Sequence, residues 1–272
     1  MSAVQADVVG RELPDPFLLP PPRVAPARPR LLSYVGRWGR ARRWLRPETL
    51  RILDVGCSFG YGSAAIAMGG PPGRVVVGVE RDQGHLDRAR VRFPWLRVIP
   101  GDANELPVAN DIADAVLLLD VIEHIAEPER TICQAARVLR PGGLLIVTVP
   151  HRGILRWLDA LNLYASLRRR WPSLPPLEAA TESDGGPHRH FTPDELAQVL
   201  GSRFTVERVA RTGLGTQELV SIAMIAAGVG LRAQFLVRML MPAHLIIGTL
   251  DDLLPTGRLA YNLAVRARLT KS

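Results

Sequence analysis

The sequence predicts a doubly wound α/β fold in which helices wrap a mostly parallel sheet. From residue 51 onward, short apolar runs alternate with helix-like segments. The first run, Arg51 to Val55, breaks into a glycine turn that opens a helix, and acidic residues stand where several later runs end. Such alternation implies right-handed crossovers and ligands bound at the carboxyl ends of the strands.

Residues 1–29 are rich in proline, including Pro20-Pro21-Pro22, and lack periodicity, which predicts a flexible or extended arm. A leading helix is expected over 30–47, where Leu31, Val35, Trp38 and Leu45 make a partial apolar stripe and Pro47 ends it. Its bland role is to cover a sheet edge, and a membrane-surface helix is the alternative. Strands are expected at 51–56, 74–80, 96–100, 114–120 and 143–149, with helices at 61–69, 83–93 and 127–140 between them. After Pro150 the rhythm changes. A helical stretch at 153–171 and a Pro, Gly, Ser and acid-rich stretch from Pro172 to Pro187 read as an insertion, 151–191, with a mobile loop. Helix 193–201 follows with Thr192 as N-cap, Pro193 at the first position and Glu195 completing a capping box. Strand 204–211, an apolar helical region within 212–259 and a closing strand within 260–272 complete the chain. No internal repeat is apparent.

A chain of 272 residues, 47% of them hydrophobic, is long enough to bury a full core, which excludes disorder throughout. Its formal charge of +8 is unevenly placed: the first 50 residues carry +5, residues 51–211 are neutral, and the remainder carries +3. An enzyme acting on RNA concentrates positive charge around its cleft, so nucleic acid is not the expected partner. The two cysteines, Cys57 and Cys133, form neither a disulfide framework nor a zinc pattern. Asp7, Glu12 and Asp15 stand where a secretory leader would be apolar, so a cytoplasmic protein is expected. Leu219 to Leu231 is uncharged, but Arg232, Arg238 and Pro242 interrupt it, short of the roughly 18 to 20 residues needed for a span. Core or substrate-pocket helices are the plain reading, and peripheral docking through 212–259 on the inner face of a membrane is the sharper one.

The turn after the first strand reads Asp54-Val55-Gly56-Cys57-Ser58-Phe59-Gly60-Tyr61-Gly62. Glycines let backbone approach a ligand closely, and the N–H groups opening the next helix point at it. Glu80 ends the next strand, where a carboxylate suits two vicinal hydroxyls; an NAD site would want the same acid. Gly101-Asp102-Ala103-Asn104 follows the third strand as an Asx-type turn. Asp120-Val121-Ile122-Glu123-His124 leaves the fourth, and Arg140-Pro141-Gly142-Gly143 turns into the fifth. Glu123 and His124 are open to two readings, as partners of helix N–H groups or as chemistry, with His124 a candidate general base.

This series resembles the class I S-adenosylmethionine-dependent methyltransferases, in the small-molecule branch that includes quinone-biosynthesis enzymes. The resemblance covers about residues 48–211 and implies a Rossmann-like sheet of seven strands, the last antiparallel. It also implies that S-adenosyl-L-methionine is the cofactor, held by Asp54, Gly56, Cys57, Ser58, Gly60, Glu80, Arg81, Asp102, Ala103 and Asp120. Asp54 would order the loop near the methionine moiety, Glu80 take the ribose hydroxyls, Asp102 and Ala103 read the adenine, and Asp120 face the methionine end. Ser58 departs from the family's middle glycine and fits if its φ stays negative. His124 and His151 are the catalytic candidates. His188 and His190 form an H-x-H pair; with no further ligand cluster in view, a substrate-pocket or structural role is expected and no metal. The function expected is methyl transfer to a small or lipid-like acceptor at oxygen or carbon. A nicotinamide-dependent oxidoreductase, an RNA methyltransferase and a non-catalytic cofactor-binding protein are the rivals, and the oligomeric state is not legible.

Overall fold

The computed structural model describes residues 15–18, 36–175, 188–230 and 232–270. Seven strands form one sheet: β1 (Arg51–Val55), β2 (Val75–Glu80), β3 (Arg97–Pro100), β4 (Ala113–Leu119), β5 (Leu139–Pro150), β6 (Phe204–Thr212) and β7 (Asn262–Leu269). Their order is β3-β2-β1-β4-β5-β7-β6. The first five pair in parallel, and β7 enters antiparallel between β5 and β6. The Rossmann-like sheet with its antiparallel last strand is therefore present. The central strands read as near-continuous apolar runs because helices cover both faces. Ile52, Leu53, Val77, Val116, Leu117, Leu118, Leu145 and Ile146 are fully enclosed on the two sides.

The helices are α1 (Gly36–Trp44), α2 (Tyr61–Met68), α3 (Gln83–Arg92), α4 (Pro128–Val138), α5 (Ala160–Arg170), α6 (Pro193–Leu200), α7 (Thr216–Ile225) and α8 (Gln234–Asp251). At α6 the capping box forms as its residues predict: the Glu195 N–H donates to Thr192 Oγ1 at 3.2 Å, and the Thr192 N–H to Glu195 Oε2 at 2.8 Å.

Four expectations are corrected. Within the expected flexible arm, Asp15 to Leu18 is anchored: Phe17 is buried in the core, Asp15 pairs with Arg51, and Arg97 donates to the Phe17 carbonyl. The rest of that arm, residues 30–35 of the leading helix and most of the Pro172 to Pro187 loop lie outside the described residues. The fourth helix stops at Val138, because Leu139 already pairs with Ala113 before a register shift carries Pro141 and Gly142 out of the ladder. The apolar region is helical as expected, as two helices that pack on each other: a π-helical turn at Ala226–Gly230 ends α7, while Pro242 sits inside α8 without ending it. The corrections at Ser58 and at the His188 and His190 pair belong to the site. No helix among the described residues is long and apolar enough to cross a membrane.

Candidate functional site

Adjacent strands β3, β2, β1 and β4 deliver Asp102, Glu80, Asp54 and Asp120 to one end of the sheet. Asp54 is buried within β1 and accepts from Ser63 Oγ at 2.5 Å, which ties the strand to the first turn of α2. Burial pushes its carboxyl up to about 6, against the Ser63 hydrogen bond, with the Glu80 charge adding to the rise. The loop between β1 and α2 winds through Gly56 (φ 74°), Ser58 (φ 47°) and Gly60 (φ 77°). A side chain at Gly56 would place Cβ 2.6 Å from a Val121 methyl, so this approach requires glycine.

Ser58 does not keep a negative φ. Its left-handed turn directs its N–H to Glu80 Oε2 at 2.8 Å, and such a conformation costs about 1–3 kcal/mol in a non-glycine residue. Glu80 Oε1 accepts from the Arg81 and Asp82 N–H groups at 2.9 and 3.0 Å. Three donors leave the carboxylate further lone-pair capacity for a ligand hydroxyl. Cys57 faces inward: its Sγ would lie 2.6 Å from a Cβ on Gly78, and burial, then Asp54 and Glu80, pushes its thiol far up. Its side chain is core, and its backbone belongs to the loop. Asp102 is exposed and accepts from the Asn104 N–H at 2.7 Å, forming the Asx turn expected, while Ala103 packs against the core behind it. The turn and the acid beside a positive-φ loop therefore offer the acceptor groups and close backbone approach that a nucleoside cofactor requires.

Asp120 has φ 58° and accepts from Thr148 Oγ1 at 2.6 Å; its other oxygen pairs with Arg37 of α1. Arg37 carried no signal in the sequence. The turn after Asp120 then places Glu123 and His124 against a second histidine group. Asp159 caps α5 by accepting from the Asn162 N–H at 2.8 Å, and its other oxygen accepts from His188 Nδ1 at 2.6 Å and His190 Nε2 at 2.7 Å. Asn162 holds the His188 backbone in both directions, donating to its carbonyl at 2.7 Å and accepting from its N–H at 3.0 Å. His188 Nε2 lies 3.7 Å from Glu123 Oε1, and the His124 and His188 rings stack with centroids 4.8 Å apart. The H-x-H pair is thus not isolated, and the expectation of no neighbouring ligand-bearing groups is corrected. Only the crossover from β4 to the insertion brings these groups together.

Burial dominates the electrostatics. It pushes Glu123 up to about 7 and His124 down to about 4, so the His124 ring is neutral at neutral pH. His188 rises to about 10 despite burial, because Asp159 and Glu123 favour its cation. Asp159 stays well below the usual carboxylate range despite burial, because both imidazoles donate to it. Glu218, in the first turn of α7, is pushed by burial up to about 7 and accepts from the Ala160 N–H at 3.1 Å. Sequence reasoning passed over Glu218 and Asp159; for Asp159, the Asp-x-x-Asn start of a helix was the available signal.

His151 follows β5, with its backbone bridged to Phe191, the residue after His190. It is buried at the end of β5, with Nδ1 donating to the Ala260 carbonyl at 2.9 Å. Beside His188 a cavity of about 440 Å³ opens, lined by Arg152, Arg156, Trp157, Asn162 and Arg189 among others.

Residues 53–147 match the model of a family described as methyltransferase domain. A probable S-adenosylmethionine-dependent methyltransferase of Mycolicibacterium smegmatis is 35% identical over 101 residues, covering 37% of this chain and 38% of that protein. The match thus spans less than two fifths of that relative's length. A ubiquinone biosynthesis O-methyltransferase of Mesorhizobium japonicum is 30% identical over 193 residues, covering 67% of this chain and 72% of that protein. In fold, a solved S-adenosylmethionine-dependent methyltransferase of Thermotoga maritima, described as a possible histamine N-methyltransferase, has a TM-score of 0.54. The two share 19% identity over 88% of this chain and 92% of that one, a likeness of fold alone.

Proposed function

Because this chain belongs to the class I S-adenosylmethionine-dependent methyltransferases, we propose that it transfers a methyl group to oxygen or carbon on a small or lipid-like acceptor. The observation that carries this reading is the row of carboxylates, Asp102, Glu80, Asp54 and Asp120, at the ends of four adjacent strands. Glu80 would take the ribose hydroxyls, and Asp102 with the Ala103 N–H the adenine. Gly56, Cys57, Ser58, Gly60 and Arg81 would line the cofactor with backbone, and Asp120 would face its methionine end. When bound, S-adenosyl-L-methionine supplies an electrophilic methyl group.

The chain's own residues align the acceptor and exclude water. His124, on the turn that leaves Asp120, would take a departing acceptor proton, and its ring is neutral and so able to accept one. His151, tied to the Ala260 carbonyl, is a positioning residue for the turn that leads into β7. An oxygen acceptor is favoured by the relative named for ubiquinone O-methylation. A lipid-like one is favoured by the outward apolar side chains of α8, where Phe235 is 69% and Met239 61% exposed, a surface suited to peripheral membrane contact. Nucleic acid is disfavoured by the neutral charge of residues 51–211.

Isothermal titration with S-adenosylhomocysteine is the direct test: absence of binding by the intact chain counts against the reading. Metabolite extraction after incubating the protein with isotopically labelled cofactor in a source-cell lysate then identifies the acceptor.

A further inference from the structure

We propose that Glu123, His124 and His188 form a binding site for one divalent first-row transition-metal ion. The inference does not depend on the methyl-transfer reading, and where it holds, His124 serves as a metal ligand in place of proton acceptor. One carboxylate and two imidazoles converge from two segments 64 residues apart between His124 and His188, and their ligand atoms all lie within 4.8 Å of one another. Glu123 is 2% exposed, and neither of its buried oxygens has a hydrogen-bond partner. A carboxylate placed so costs several kcal/mol unless a cation answers it, on the order of magnitude expected for buried ions.

Distances separate this triad from the neighbouring group. Ligand atoms about 2.0–2.1 Å from a tetrahedral metal stand roughly 3.4 Å from one another. His188 Nε2 and Glu123 Oε1 are 3.7 Å apart, close to that spacing. Asp159 Oδ2 is only 2.6 Å from His188 Nδ1 and 2.7 Å from His190 Nε2, which are hydrogen bonds with no room for an ion. Asp159 therefore acts one step back. Asp159 holds the His188 Nδ1–H, so an incoming metal ion that displaces the other ring proton would meet Nε2, which faces Glu123 Oε1, the arrangement by which a carboxylate orients a metal-ligating histidine. Asn162 fixes the His188 backbone from both sides, and His190 steadies Asp159.

Two imidazoles and one carboxylate suit Zn²⁺, Co²⁺, Fe²⁺ or Mn²⁺ better than Mg²⁺ or Ca²⁺, which prefer all-oxygen sets. Three protein ligands leave a coordination position open, as in sites that hold water or a substrate oxygen. The alternative occupant of the gap is a proton on His188, bridging Glu123 and Asp159 as a purely structural ion pair.

Titration of the metal-free full-length chain with Co²⁺, followed by its visible absorption and by competition with Zn²⁺, tests the proposal. One equivalent should bind with bands of a nitrogen and oxygen ligand set and no thiolate charge transfer. Glu123→Gln and His188→Ala should each weaken binding by about tenfold or more, and Asp159→Asn by about 10–100-fold, while Cys133→Ser matches the unsubstituted protein. Circular dichroism checks that each variant is folded. Should one fail to fold, paramagnetic shifts of the His124 and His188 ring signals on Co²⁺ binding to the unsubstituted chain give the same answer. Absence of saturable binding, binding unchanged in Glu123→Gln and His188→Ala, or Co²⁺ shifts confined to other histidines overturns the site. No cofactor or acceptor is present, so this outcome is separate from the fate of the methyl-transfer reading.

Discussion

Ser63, in the first turn of α2, donates its hydroxyl to the buried Asp54 carboxylate at 2.5 Å, and this bond joins the end of β1 to the helix that its own loop opens. Asp54 has a folded-state pKa of about 6 against an ordinary value near 3.8. Both states are protonated below about 3.8 and both ionised above about 6, so the folded state binds more protons between. Stability from this group therefore falls as pH rises through that window, by up to about 3 kcal/mol. Urea unfolding at pH 4, 5, 6 and 7 should show the decline in the unsubstituted chain relative to Asp54→Asn; parallel curves would refute the assignment. Ser63→Ala should steepen it, because the carboxylate loses its donor.

Glu80→Ala should raise the dissociation constant for S-adenosylhomocysteine by about 100-fold, since it removes a charged hydrogen-bond acceptor and releases the Ser58, Arg81 and Asp82 N–H groups. Asp102→Ala, at an exposed turn, should cost about tenfold. Calorimetric titration of the two variants measures both, and unchanged affinity in both would remove these residues from the cofactor site.

Gly56→Ala should lower stability by about 1–3 kcal/mol, because its φ of 74° is strained for alanine and the new methyl meets Val121 at 2.6 Å. Adding Val121→Ala should recover the steric part and leave the backbone part. A denaturant series on the single and double variants separates the two, and additive losses would contradict the contact.

Arg40→Ala should destabilise the protein by about 3–5 kcal/mol. Arg40 is buried in α1, donating to Asp252 Oδ1 at 3.1 Å, to the Asp252 carbonyl at 2.6 Å and to Thr212 Oγ1 at 2.9 Å. Its loss leaves Asp252 buried without its cation. The exposed Arg37 and Asp120 pair should matter far less, so Arg37→Ala should shift stability by about 1 kcal/mol or less. Thermal melts of the two variants compare them directly.

Replacing Phe235 and Met239 together with serine should reduce co-sedimentation with anionic vesicles while leaving thermal stability near that of the unsubstituted chain, because both side chains face outward. Truncation at residue 212 cannot serve, because β7 lies between β5 and β6 and its removal would open the sheet. Equal absence of vesicle binding before and after the substitutions would exclude the peripheral contact.

Much of the cofactor end was legible along the chain. The β-branched run before Glu80, the glycines after Asp54, the Asx turn at Asp102 and the capping box at Thr192 each involve residues a few positions apart, and short-range sterics and hydrogen bonds decide them. Ser58 shows where local reasoning stopped: its own preference favours negative φ, yet Glu80, 22 residues on, captures its N–H and the left-handed turn results. The anchoring of Phe17 among core side chains is not legible in the sequence for a related reason, since proline-rich composition says nothing of a distant apolar pocket.

The sequence by itself determined the alternating architecture, the family and the residues at the strand ends, because period and turn chemistry are properties of neighbouring residues. Tertiary structure alone decided that Glu123 and His124 would meet His188, that Asp159 would bridge His188 and His190, and that Arg37 would reach Asp120. These partners lie 29 to 83 residues apart along the chain. Their encounter depends on the β4 crossover, the docking of α5 and the folding of α1 over α2, which bury groups together and only then set their charges.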